Sequence, residues 1–191
     1  MSLYPNAIIF AGGKSSRMGT NKALLPFGKE ETLIAYQCTK LQNIFQQISI
    51  SAKEDIFSLP CSVITDIYRD SSPLVGIISI FETMPELEEV FILSVDAPFV
   101  DEHIITPIME ANENAVDVIV AKSPNGIQPL CGLYKRSILP FAKAQYKKGN
   151  HKLQDLLALV NTKNIVFENN LPFSNLNHPK EYEEALKLSL S

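Results

Sequence analysis

The residues best placed to do chemistry in this 191-residue chain lie between positions 10 and 22 and at positions 66 and 96. Phe10-Ala11-Gly12-Gly13-Lys14-Ser15-Ser16-Arg17-Met18-Gly19-Thr20-Asn21-Lys22 directly follows an apolar run, Asn6 to Phe10. Glycines there let the backbone bend and bring N–H groups close to an anion, with no Cβ in the way. Arg17 and Lys22 add positive charge where a polyphosphate would rest. The same residues also fit a polar loop joining a strand to a helix, its glycines merely turning the chain. The spacing matches neither GxxxxGK[ST] nor GxGxxG, which demotes those two classes of phosphate binder.

Asp96 follows Val90-Phe-Ile-Leu-Ser-Val95, the strongest strand signal in the sequence. In open α/β sheets ligands gather beyond the carboxyl ends of strands, where Asp96 and Gly12-Gly13 would both lie. A carboxylate there suits Mg²⁺, which takes one or two protein oxygens and fills its shell with phosphate oxygens and water. The alternative is a cap for the next helix, for which Asp101 is better placed. Asp66 follows a third apolar run and on its own residue chemistry fits a strand-ending turn residue.

The elements that must position these groups alternate. Asn6 to Phe10, Gln47 to Ser51, Cys61 to Thr65, Val90 to Val95, Val116 to Ala121, Leu130 to Tyr134 and Ile165 to Glu168 read as strands. Thr32 to Phe45, Pro73 to Met84, Asp101 to Asn112, Ser137 to Tyr146, Lys152 to Val160 and Pro179 to Leu190 carry helical spacing. Pro124-Asn125-Gly126 marks a turn. This order predicts an α/β fold with a mostly parallel central sheet flanked by helices, in one domain over residues 1–191.

Composition narrows the function classes. A net charge of −4 with no Lys/Arg run argues against a duplex nucleic-acid binder. No apolar run approaches the ~18 residues of a membrane span, and the first residues show no secretory pattern. Cys38, Cys61 and Cys131 are sparse and unpaired in sequence, as expected of reduced thiols in the cytoplasm. His103, His151 and His178 lack partners at ligand spacing and read as surface residues. Phe81, Phe91 and Phe99 read as core, and Lys143, Lys147, Lys148 and Lys152 as a solvated face that could attract an anion.

The glycine-rich segment resembles the signature of nucleotidyltransferases with a Rossmann-like, three-layer fold, L-A-[GA]-G-x-[SG]-x-R-M-G…K. Its double glycine is similar to that of the molybdenum cofactor guanylyltransferase (MobA) branch. The resemblance continues in order through Val63-Ile-Thr-Asp66, Ser72-Pro-Leu-Val-Gly76, Ser94-Val-Asp-Ala-Pro98, Gln128-Pro-Leu-Cys-Gly-Leu-Tyr134 and Asn175-Leu-Asn-His-Pro179. Three positions depart from it: Asn21 replaces an aspartate, Phe10 a leucine, and Ser72 a glycine.

The resemblance implies transfer of GMP from GTP to the phosphate of molybdopterin cofactor, with pyrophosphate released. It implies Arg17, Lys22 and Asp96 as catalytic residues, with Asp96 holding Mg²⁺. Phe10, Ala11, Gly12, Gly13, Lys22, Ser51, Asp66 and Asp96 would bind the nucleotide, Ser51 standing where many relatives carry asparagine. GTP and molybdopterin cofactor are the implied partners, and transient contact with molybdoenzymes or their chaperones stays open. Alternatives are a related cytidylyl- or sugar-phosphate nucleotidyltransferase, or a non-catalytic protein that delivers the pterin cofactor.

Overall fold

In a computed structural model, residues 3–12, 21–176 and 178–189 are described. Seven strands form one sheet: β1 (Tyr4–Phe10), β2 (Phe45–Ala52), β3 (Ser62–Thr65), β4 (Glu89–Ser94), β5 (Val118–Ser123), β6 (Gly126–Lys135) and β7 (Thr162–Val166). Their spatial order is β3-β2-β1-β4-β6-β5-β7. The β3–β2, β2–β1, β1–β4 and β5–β7 pairs are parallel, whereas β6 runs antiparallel to both β4 and β5. Six helices cover the sheet: α1 (Leu33–Leu41), α2 (Pro73–Thr83), α3 (Glu102–Glu110), α4 (Leu139–Lys147), α5 (Leu153–Leu159) and α6 (Pro179–Ser189). No described helix is long and apolar enough to cross a membrane.

The pleat of the central strands builds two cores. Ala7 and Ile9 of β1 and Phe91 and Leu93 of β4 face one layer, with Leu33 and Ile34 of α1, Ile105 of α3 and Ala185 of α6. Ile8 and Phe10 of β1 and Val90 and Ile92 of β4 face the other, with Leu74 of α2, Ala142 of α4 and Leu156 of α5. Strands covered on both faces read as continuous apolar runs, which is why β1 and β4 stand out in the sequence.

The largest departures from the expected boundaries, four residues each, are at α1 and β6, while β7 begins three residues early, at Thr162. α1 ends at Leu41 rather than Phe45, because Phe45 pairs with Tyr4 across the β1–β2 ladder and stacks on Phe91. β6 begins at Gly126 rather than Leu130. Val120 faces Gly132 and Ala121 faces Gln128, so residues 129–131 bulge out of register with β5. Pro129 has no N–H for a ladder bond, and a bulge is where a strand tolerates it. Phe81 and Phe91 lie in the cores, as their apolar settings suggest, and Phe99 is partly buried against one.

Ser72 caps α2, its Oγ accepting the Val75 N–H at 3.3 Å, and Pro73 opens the helix. Gly76, in the next turn, lets α2 approach the end of β1. A Cβ at this position would sit 2.5 Å from Phe10 Cε1 and 3.0 Å from Ser51 Oγ. Alanine would gain about 1 kcal/mol of helix propensity, against an overpacking cost of about 1–3 kcal/mol. Gly76→Ala is therefore expected to lower stability by about 1 kcal/mol in urea denaturation; an increase would contradict the close approach.

Candidate functional site

The site is built on the carboxyl edge of the four consecutive parallel strands β3, β2, β1 and β4. The β1–β4 register sets Phe10 beside Ser94, and the Val95 N–H continues the ladder by donating to the Phe10 carbonyl at 3.0 Å. Gly12 and Asp96 thus emerge side by side from neighbouring strand ends. This is also where strand order reverses direction across the sheet, the crevice in which open α/β sheets bind ligands.

On one flank, the Ala11 N–H donates to the Ser51 carbonyl at 2.9 Å, and the Asp66 N–H to the Ala52 carbonyl at 3.2 Å. Phe10, Ala11 and Ser51 are buried and Gly12 is exposed. Ser51 Oγ lies toward Gly76, under the sheet, so this residue supports the edge mainly through its backbone. A Cβ at Gly12 would meet Ala52 Cα at 3.5 Å, an ordinary contact. The fold itself could accept a side chain there, so packing does not account for the glycine. Gly13 and Arg17 lie outside the described residues.

On the other flank, Ser94 Oγ donates to Asp96 Oδ1 at 2.6 Å, and Lys22 Nζ lies 3.5 Å from Asp96 Oδ2. Both charged side chains are largely shielded, at 16% and 21% exposure, which strengthens their attraction over that of a surface pair. Lys22 is brought there by a 3₁₀ turn, Lys22–Leu24, whose cap is Asn21: its Oδ1 accepts the Ala23 N–H at 3.1 Å. The asparagine thus performs the capping that an aspartate would, without the charge. Asp101 caps α3, its Oδ1 accepting the His103 N–H at 3.0 Å, which leaves Asp96 uncommitted to that helix.

Asp96 opens onto a cleft of about 410 Å³ on its β6 side, bordered by Gln128, His151, Lys152 and Asn175. The β6 bulge and the segment before α6 supply this wall, and the Leu176 N–H closes on the Asp96 carbonyl at 3.0 Å. His151 departs from expectation: instead of standing on the surface, it borders the cleft with its Nδ1 2.8 Å from Ser72 Oγ. Its partner is 79 residues away, so local spacing carried no signal. The lysine group also divides, Lys143 pairing with Glu82 at 2.6 Å while Lys152 reaches the cleft.

Among the described residues, no group of three or more His, Cys, Asp or Glu could enclose a metal. The donor set at Asp96 is one accessible carboxylate beside an open cleft. That set suits a divalent ion that draws its remaining ligands from phosphates and water.

Burial raises the Asp66 carboxyl to about 6, with Lys53 pulling it the other way. Its folded value thus exceeds its unfolded one, so ionised Asp66 weighs against the folded state. This burden is absent below about pH 4, grows from there to about pH 6, and is complete above. Asp66→Asn is accordingly expected to raise the urea midpoint above pH 6 and leave it unchanged below pH 4. A pH-independent difference between variant and parent would contradict the burial effect.

Comparisons with known proteins bear on kinship and fold. The sequence profile described as MobA-like NTP transferase domain matches residues 7–165. A molybdenum cofactor guanylyltransferase from Campylobacter jejuni subsp. doylei is 37% identical over 181 residues, covering 94% of each chain. A probable molybdenum cofactor guanylyltransferase from Carboxydothermus hydrogenoformans is 34% identical, again with 94% of each chain covered. The crystal structure of molybdopterin-guanine dinucleotide biosynthesis protein A from Archaeoglobus fulgidus superposes with a TM-score of 0.81 at 17% identity, covering 96% of this chain and 97% of that one. At that identity the superposition speaks for the fold, and the sequence matches speak for kinship: this chain belongs to the MobA-like NTP transferase family.

Proposed function

We propose that this chain transfers GMP from GTP to the terminal phosphate of the molybdopterin cofactor, releasing pyrophosphate. The observation that carries this reading is the emergence of Gly12 and Asp96 from adjacent parallel strands, with Lys22 at 3.5 Å from the carboxylate and a cleft beyond it. The Campylobacter and Carboxydothermus relatives, guanylyltransferases by name, support the choice of base and acceptor.

An acceptor phosphate oxygen attacks the α-phosphorus of GTP. The new P–O bond forms as the bond to the α–β bridging oxygen breaks, and pyrophosphate leaves with that electron pair. The acceptor is already ionised near neutral pH, so the step needs placement and charge neutralisation rather than a strong general base. Gly12 and Gly13 offer backbone donors to the phosphates. Arg17 and Lys22 balance the charge that grows on the leaving group. Asp66 and the Phe10–Ala11 backbone face the nucleoside, Ser51 supporting them from β2. Asp96 holds Mg²⁺, which when bound neutralises and orients the triphosphate.

The Lys22–Asp96 pair supports these roles. Each group is the other's counter-charge, and a triphosphate arriving with its cation supplies both with a new partner at once. The cleft bordered by Gln128, His151, Lys152 and Asn175 accommodates the acceptor. We assign the activity to the cytoplasm, where the three free cysteines persist as thiols.

A ligand panel tests the reading. GTP with Mg²⁺ at a hundredfold excess over its Kd adds about 2.7 kcal/mol, or about 5–10 °C in a chain of this size. ATP, CTP and UTP are expected to shift the midpoint far less, and a preference for CTP would overturn the guanylyl assignment. Lys22→Ala and Asp96→Asn are each expected to slow GTP-dependent pyrophosphate release by about 10²–10³-fold with unchanged circular dichroism. Parent-like turnover in either variant would remove that residue from the mechanism.

A further inference from the structure

The segment that presents Asp96 is held from behind by a residue the family motifs do not include. Gln37 lies in the middle of α1, fully buried among Leu33, Ile34, Cys38 and Leu41. Its Nε2 donates to the carbonyls of Ala97 at 3.0 Å, Val95 at 3.2 Å and Ser94 at 3.4 Å. All three partners are acceptors, so the amide can be placed only with its nitrogen toward them. One turn along the helix, Lys40 Nζ donates to the Pro98 carbonyl at 2.8 Å. The Asp96 carbonyl itself is taken by the Leu176 N–H at 3.0 Å. Every carbonyl from residue 94 to residue 98 therefore has a donor, and those on either side of Asp96 share one amide.

The same side chain carries a cost. Gln37 Oε1 is buried without a hydrogen-bond partner among the described residues. Such an orphaned acceptor costs about 1–3 kcal/mol; an apolar residue of similar volume would remove it but would take the donor from the Val95 carbonyl. What the amide provides is directional: it holds the Val95–Asp96 peptide plane just before the carboxylate residue and the Ala97–Pro98 plane beyond it, while the plane between is held by the Leu176 N–H on the Asp96 carbonyl. Ser94 Oγ is bonded to Asp96 Oδ1, and the Ser94 carbonyl takes the Ala97 N–H at 3.2 Å as well as the longer contact from Gln37.

We propose that Gln37 is a positioning residue that holds the 94–98 turn so that the Asp96 carboxylate faces the metal and triphosphate. This rests on the assignment of Asp96 to the metal. Outer-shell partners of metal ligands typically carry about 10–100-fold in metal affinity. Gln37 acts through the backbone rather than on the carboxylate, so about tenfold, the lower end, is expected.

The test measures Mn²⁺ affinity, by water-proton relaxation, of the full chain saturated with the α,β-methylene analogue of GTP, which cannot be cleaved at the reacting bond. Gln37→Met keeps the volume and removes the donor; Gln37→Leu is the second variant if the first does not fold. The expected result is Mn²⁺ affinity weakened about tenfold, a matching rise in the Mg²⁺ concentration for half-maximal pyrophosphate release, and analogue binding without metal changed less than twofold. Rescue of turnover by excess Mg²⁺ is expected as well, which a general loosening of the core would not give. Parent-like Mn²⁺ affinity in a folded variant overturns the proposal, and so does failure of both variants to fold, since Gln37 would then serve the core. If the parent chain itself shows no metal-dependent response to GTP, it is the functional reading that fails, and the two outcomes are distinguishable.

Discussion

The parallel pairing of β1 with β4 is the constraint on which the site depends. It matches Ala7 with Phe91, Ile8 with Ile92, Ile9 with Leu93 and Phe10 with Ser94. Two residues beyond the last pair stand Gly12 and Asp96, so backbone donors and carboxylate share one edge only in this register. A slip by one residue would turn each buried side chain of one strand toward the opposite face. Both faces are closed by helices and the two cores are filled by alternating residues, so the slip is heavily penalised. Placement of the chemistry thus follows from apolar packing several residues away from it.

The two helices that flank this pair act differently. α2 lies against the second core and comes so close at Gly76 that the Phe10 ring and Ser51 fill the space a side chain would need. It supports the glycine side of the edge by contact. α1 covers the opposite face and reaches the carboxylate side through directed hydrogen bonds from Gln37 and Lys40. Burial draws the Lys40 ammonium down to about 7, against the pull of Asp101. Through this buried amino group and the Gln37 amide, α1 holds both the Ala97 and Pro98 carbonyls of the turn that follows Asp96.

Much of this was legible in the sequence for identifiable reasons. β1 and β4 are apolar throughout because they are covered on both faces, and the Gly12-Gly13 and Asp96 segments follow them at once. Asp101 was readable as a cap from its place just ahead of a helical pattern. Other features depend on distant partners and left no local trace. Phe45 continues the apolar stripe of α1 and is claimed by β2 only because Tyr4 and Phe91 receive it. His151 meets Ser72 across 79 residues, and Gln37 looks like any polar residue on an amphipathic helix until the 94–98 carbonyls are seen facing it. The bulge at residues 129–131 accommodates Pro129, and its consequence, a wall for the cleft beside Asp96, belongs to the tertiary structure.

The account stands most directly on where a bound nucleotide places its phosphates. A crystal structure with the α,β-methylene analogue of GTP and Mn²⁺, phased to show the anomalous signal of manganese, answers this in one measurement. The account predicts an anomalous peak within about 2.2 Å of an Asp96 carboxylate oxygen, a ligand distance for an ion of this class, with the triphosphate lying over Gly12 and Lys22 turned toward it. A triphosphate bound away from the β1–β4 edge, or manganese held by other side chains with the Lys22–Asp96 pair intact, would contradict it.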